Sequence, residues 1–361
     1  MPLAVYESYG SDEVLARQRS SMRRWVEHLR RRAGDGVVLP GGDFQFSDWL
    51  DPDAPGERPW EAKVSADFVA NAFYAQSARL LARAERALGD DTTADEYEAL
   101  ADRVGAATFE RWGEEAVLTQ SGAAIALEFG LAPAARREEI AAGLAANVRR
   151  ENGRIATGFL GTPLVLFALS HAGHLDEAYL MLLRREAPSW LYQVDRGATT
   201  VWERWDAILP DGSIHSGAMD ALPTEDASED ETGMLSFNHY AYGAMIDWVY
   251  RTVAGLAPDA ADPGYRTVHV APRPAAGLDR ASASIQTPQG RLAIDWRLVD
   301  GVFEATLEVP LGSRALLDLP VTSGSAATVD GAAAPAELRH GTHRIVVTAP
   351  AIAAAEAVVP A

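Results

Sequence analysis

The chain contains no cysteine. Thiolate metal sites, thiol nucleophiles and disulfides are therefore excluded as sources of chemistry or stability. That absence fits a reducing cytoplasm, where the chain is expected, and leaves secretion open. No run of about 18 uncharged apolar residues occurs, so no transmembrane helix is expected. The opening "MPLAVYESYGSDEV" has neither a basic n-region nor an apolar h-region, so no signal peptide is visible. Positive charge is also scarce: Lys and Arg total 32 against 51 Asp and Glu, for a net charge of −19. Nucleic acid is a poor partner for such a chain, because binding it needs basic patches that displace counterions. Anionic membrane surfaces are disfavoured for the same reason. There is no GxGxxG opening a βαβ unit, no Walker loop, no GxSxG elbow and no HExxH pair. No cofactor and no metal are expected. The acidic run "PTEDASEDETG", 223–233, carries five carboxylates but lacks EF-hand spacing, and it reads as a mobile surface loop.

What remains is 361 residues with nine tryptophans. The length suffices for two domains and a large core. Up to about residue 254 the apolar spacing is helical. Ser11 and Asp12 read as the N-cap of a helix that ends at Gly34. Ser65 caps a second helix, and Thr93 with Glu96 has the form of a capping box. Further helices are expected near 119–130, 134–150, 162–172, 174–186 and 235–254. After "APDAADPGY" the pattern changes to short alternating runs such as "RTVHVAP", "ASASIQTP", "GRLAIDWRLV", "VFEATLEVP", "ALLDLP", "AATVDG" and "HRIVVTAP". These predict a small antiparallel β-sandwich over 258–361, after a helical domain over 1–257.

The octapeptide "TTVWERWD", 199–206, fits neither a core helix nor a solvated loop. Trp202 and Trp205 bracket Glu203, and Gly197, Pro210 and Gly212 lie close by, so a loop or extended segment is expected. A carboxylate kept ionised but poorly hydrated is an effective general base for water. The bland alternative is a salt bridge from Glu203 to an arginine beside a Trp-lined core. Other stretches share the same chemistry. "FQFSDWLDP" supplies Asp48 and Trp49, and "TGFLGTP" brings two glycines to a helix start. "PSWLYQVD" adds Trp190, Tyr192 and Asp195, and "LSFNHYAYG" adds Asn238 and His239 among aromatics. Carboxylates in a Trp-lined cleft point to glycoside hydrolysis.

In their order, "SDWLDP", "TGFLGTP", "PSWLYQVDRGATTVWERWDAILPDGSIH" and "SFNHYAYG" resemble the C-terminal part of bacterial α-L-rhamnosidases, glycoside hydrolase family 78. The resemblance covers nearly the whole chain. It implies an (α/α)6 barrel, here incomplete at its N-terminal side, followed by the β-sandwich. It implies hydrolysis of terminal α-L-rhamnosides with inversion, so the expected partner is a rhamnose-containing glycoside. On the same ground Glu203 corresponds to the general base, Trp49 to the tryptophan of a GDW motif lining the sugar subsite, and His239 to a sugar-contacting histidine. Asp48 is expected to bind substrate with them, and Trp190, Trp202 and Trp205 to form or support the pocket wall. Ser47 stands where the family usually has Gly. The family's general acid lies in a D-x-x-x-R-x-E motif that residues 1–48 lack. The chain is therefore expected to act as the base half of the enzyme, with Asp48, Asp195 or Asp206 as conceivable surrogate acids. A companion chain or a homo-oligomer is expected to cover the open barrel. The other readings are a sugar-binding fragment without activity, or a different (α/α)6 hydrolase.

Overall fold

The structure is a computed structural model and describes residues 2–34, 36–220 and 234–355. The acidic run 223–233 lies outside the described residues. The chain divides into two compact units, one of residues 21–245 and one of residues 2–20 with 246–355.

The first unit is helical. After α1 (Pro2–Tyr9), in the other unit, and α2 (Glu13–Ala33), which spans both, come α3 (Ala66–Ala87) and α4 (Asp91–Thr108). These two form an antiparallel hairpin. Ser65 caps α3, its hydroxyl accepting from the Phe68 N–H. The cap of α4 is Asp90, whose carboxylate accepts from the Thr93 N–H, so the capping box expected at Thr93 is displaced by three residues. Asp90 also takes a hydrogen bond from Arg23, which binds the fully buried Glu85 through Nε and Nη2 at 2.6 and 2.7 Å. A charge so deeply buried is tolerated because the guanidinium fork meets both of its oxygens.

α5 (Glu114–Ala116), α6 (Gln120–Glu128), α7 (Arg137–Arg150), α8 (Thr162–His171), α9 (Leu175–Leu183) and the short α10 (Trp190–Asp195) follow. Successive helices pack pairwise, α6 against α7 and α8, and α8 against α9. No described helix is long and apolar enough to cross a membrane. The segment expected to be helical over 235–254 becomes so only at Ala241, through a 3-10 turn, α11 (Ile246–Trp248) and a π-helical turn ending at Ala254. Residues 236–239 are instead bound to 200–203: Glu203 N–H donates to Ser236 O at 2.9 Å, and His239 N–H to Val201 O at 2.8 Å. A backbone satisfied by a distant segment is not available to a helix.

In the second unit β1 (Leu256–Pro258), β2 (Thr267–Val270), β6 (Arg314–Leu317) and β9 (Glu337–Leu338) form one sheet in the order β1-β2-β6-β9. β3 (Arg280–Thr287), β4 (Gly290–Val299), β5 (Val302–Val309), β7 (Ala326–Val329), β8 (Ala332–Ala333) and β10 (Gly341–Thr348) form the other, in the order β3-β4-β5-β10-β7-β8. All seven expected strands are present. The six-stranded sheet is antiparallel throughout, but β2 and β6 run parallel, against the all-antiparallel expectation. The apolar runs fill the core with Trp296, Phe303, Leu307 and Ile345, all fully buried. The Trp296 indole N–H is satisfied by Val253 O at 2.9 Å.

Candidate active site

The segment around Glu203 is non-helical, as expected, and is held from both sides. Trp202 N–H donates to the Gln193 side-chain oxygen at 3.2 Å, and the Thr200 hydroxyl donates to Phe237 O. These bonds fix the backbone leading into Glu203 from two different segments.

Glu203 is largely enclosed, its side chain 10% exposed. Its carboxylate takes no hydrogen bond and pairs with no arginine among the described residues. His239 Nε2 stands 4.0 Å from Oε1. The neighbouring Arg204 turns to Asp206 instead, with Nε donating to Oδ1 at 3.2 Å. The salt bridge that the sequence left open is therefore not formed. His239 Nδ1 accepts from the Ala241 N–H at 3.3 Å, which assigns the proton of the neutral ring to Nε2, the nitrogen facing Glu203. The imidazole stacks with two rings, Phe159 at 4.8 Å and Tyr240 at 5.4 Å, both near parallel to it.

Phe159 links this pair to Trp49. Its N–H donates to Trp49 O at 2.9 Å, and its ring meets the edge of Tyr242 at 5.1 Å. Trp49 is buried, stacked at 6.1 Å on Trp60 and edge-on to Phe46. Tyr242 is fully buried, and its hydroxyl donates to Leu50 O at 2.6 Å. Burial pushes that phenol well above its ordinary range. Trp205 stacks on Tyr242 at 3.9 Å and meets Trp190 edge-on at 5.6 Å. The Trp190 indole donates to Tyr242 O, and the Trp205 indole to Thr157 O. Trp202 packs on Phe237 and shares a small core with Tyr192 and Ala207. Trp190, Trp202 and Trp205 are all buried.

Asp48 differs from the others. It is completely enclosed, and its carboxylate accepts from the N–H groups of Gly158, Leu160 and Gly161 at 2.7–2.9 Å and from the Ser121 hydroxyl. Burial pushes its carboxyl upward, while these four donors pull it down. With no exposed surface it cannot touch a sugar, so the substrate contact expected of it is replaced by a tether on the 158–161 loop. Ser47, just before it, sits at φ 54°, a conformation that Gly enters without steric cost. Sequence reasoning passed over Phe159, Tyr242, Ser121 and Asp51. The first two stand inside "TGFLGTP" and "SFNHYAYG", but nothing local marks them as contacts. Asp51 is buried, accepts from the Asp53 and Lys63 N–H groups, and is pushed up to about 6, chiefly by burial.

The profile of the bacterial alpha-L-rhamnosidase 6 hairpin glycosidase domain matches residues 1–253, and that of the bacterial alpha-L-rhamnosidase C-terminal domain matches residues 255–334. The chain belongs to the bacterial α-L-rhamnosidase family. An alpha-L-rhamnosidase of Streptomyces avermitilis is 34% identical over 359 residues, which is 96% of this chain and 32% of that protein. One from Formosa agariphila is 31% identical over 335 residues, covering 91% and 34% respectively. The crystal structure of native α-L-rhamnosidase from Aspergillus terreus matches with a TM-score of 0.83 at 31% identity, over 96% of this chain and 38% of that one. The Streptomyces avermitilis enzyme complexed with L-rhamnose matches with a TM-score of 0.79 at 33% identity, over 96% and 32%. The chain thus spans about a third of the length of the curated relatives it matches.

Proposed function

We propose that this chain supplies the general base and part of the sugar subsite of an inverting α-L-rhamnoside hydrolase. Glu203 activates water, His239 donates from Nε2 to the same water or to a sugar hydroxyl, and Trp49 backs the sugar. Trp190, Trp202 and Trp205 hold the Glu203 segment in place. One observation carries the reading: a largely enclosed carboxylate without a hydrogen-bond partner among the described residues stands 4.0 Å from an imidazole N–H, close enough for one oxygen atom set off the line between them to contact both. The names of the relatives, with rhamnose bound to one of them, give the substrate class.

Inversion needs a second carboxyl, roughly 6.5–9.5 Å from the first, to protonate the leaving oxygen. Asp48 is enclosed and committed to four donors, Asp206 is taken by Arg204, and Asp195 by Arg185. We place the acid outside these residues, on a companion segment, a companion chain or a second copy that completes the barrel.

The test is hydrolysis of an activated aryl α-L-rhamnoside by the chain and by Glu203→Gln, with the first-formed anomer of rhamnose read by proton NMR. Loss of about 10²-fold or more in Glu203→Gln is expected, with the β-anomer formed first. Wild-type rates in the variant, or retention of configuration, would sink the proposal.

A further inference from the structure

A cleft of about 380 Å³ opens between the loop running from Leu50 to Pro59, the Ala187–Pro188 turn and residues 204–215. Glu203, His239 and Trp49 do not line it; Arg204 does. The Arg204 side chain is only 6% exposed, and of its five N–H donors one is used among the described residues, Nε to Asp206. Nη1 is enclosed and has no hydrogen-bond partner among the described residues. A guanidinium cannot shed its charge, so leaving it buried and underbonded is costly unless an acceptor arrives.

The rest of the lining says what kind of acceptor. Asp51 and Asp206 line the same cleft, and Arg154 is already held by Asp53 through both Nη atoms. With Arg154 neutralised by Asp53, two carboxylates stand against the one remaining guanidinium, so an anion gains no net attraction. A hydroxyl can accept from a guanidinium and donate to a carboxylate, which this lining matches. The apolar part of the lining includes Leu50, Leu209, Trp205 and prolines such as Pro55 and Pro188, suited to the C–H face of a ring. The volume lies at the small end of the range for ligand pockets, about 300–1,000 Å³, and suits one ring.

We propose that this cleft is a second sugar site, which holds one neutral pyranose with its hydroxyls between the Arg204 guanidinium and the carboxylates of Asp51 and Asp206. The assignment does not rest on the role of Glu203. The ring comes either from the leaving-group side of a bound glycoside or from a separate saccharide.

The experiment is saturation-transfer NMR and calorimetric titration of the chain with L-rhamnose, D-glucose and D-glucuronate as probes. Arg204→Met should weaken binding of the neutral sugars at this site by at least about tenfold, the scale of a lost bond to a charged group. Should Arg204→Met fail to fold, Ala54→Phe fills the cleft from its half-exposed rim and should have the same effect. Trp49→Ala should leave this binding intact. D-Glucuronate should bind no better than D-glucose. An aryl rhamnoside that competes with D-glucose assigns the ring to the leaving group, and one that does not assigns it to a separate saccharide. The proposal is overturned if no neutral sugar binds, if Ala54→Phe leaves binding unchanged, or if D-glucuronate outcompetes D-glucose tenfold. Hydrolysis by Glu203→Gln is a separate readout, so failure here and failure of the general-base assignment are told apart.

Discussion

Asp48, Asp51 and Glu203 are all buried, but their surroundings give them different work. Asp48 is surrounded by donors and acts as a tether. Glu203 takes no hydrogen bond from any described residue, which is why we propose it for work on a ligand. Asp51 lies between these cases, with two backbone donors, the neighbouring charge of Asp48 and a titration point pushed from an ordinary 3.8 to about 6. The sign of its effect on stability follows from linkage. The folded state holds this proton more tightly than the unfolded chain, so its contribution is full below about 3.8 and is lost as pH rises through about 6. A shift of roughly two units corresponds to about 3 kcal/mol. Asp51→Asn cannot titrate there. Relative to that variant, the wild-type chain should therefore lose up to about 3 kcal/mol between pH 4 and pH 7, measured by urea unfolding at unit pH steps. A difference that stays flat across this interval would show that Asp51 titrates normally. "SDWLDP" displays both aspartates, but no spacing within it says which one the 158–161 loop will claim, because that loop is 110 residues away.

The 157–161 loop, joining Asp48, Trp49 and Phe159, shows why glycine is needed there. A Cβ on Gly158 would collide with the carbonyl oxygens of Asp48 and Trp49, and one on Gly161 with the Ser121 side chain. Backbone lies on backbone, and the N–H groups that reach Asp48 depend on that closeness. Gly158→Ala should push the loop off Asp48 and cost about 3 kcal/mol or more, as overpacking and orphaned donors add. A chemical denaturation midpoint equal to wild type would contradict this account. The elements themselves were largely legible, since Ser65, the helical spacing of α3 and the alternation of β3, β4 and β5 are local signals. What was not legible is non-local. Pairing of 200–203 with 236–239 overrides helix formation before Ala241, and the parallel register of β2 and β6 joins distant strands. Likewise, the sequence put Glu203 and His239 in aromatic surroundings, but the stack of Phe159 on His239 exists only once α8 and the 241–245 turn meet.

For the whole molecule, what matters is whether two carboxyls can act on one bond. A net charge of −19 sets no obstacle to a neutral glycoside and none to catalysis by a carboxylate. In the proposed reading neither Asp206 nor Asp51 supplies the acid: Asp206 is bound to Arg204, and Asp51 lines, with Arg204, a cleft that Glu203 does not line. Base without acid has a kinetic signature. An activated aryl leaving group departs with little protonation, whereas a sugar hydroxyl needs a full proton, and assistance of that kind is worth about 10²–10⁴-fold. Turnover by this chain should therefore fall by about that factor more steeply, from aryl α-L-rhamnoside to rhamnosyl disaccharide, than it does for a complete family member. Both activities should vanish together in Glu203→Gln. The comparison requires only kcat/KM for the two substrates with each protein. If this chain cleaves the disaccharide as readily as the complete enzyme does, a proton donor lies within its own residues. Asp51, already poised near pH 6, would then be the first carboxyl to replace by asparagine.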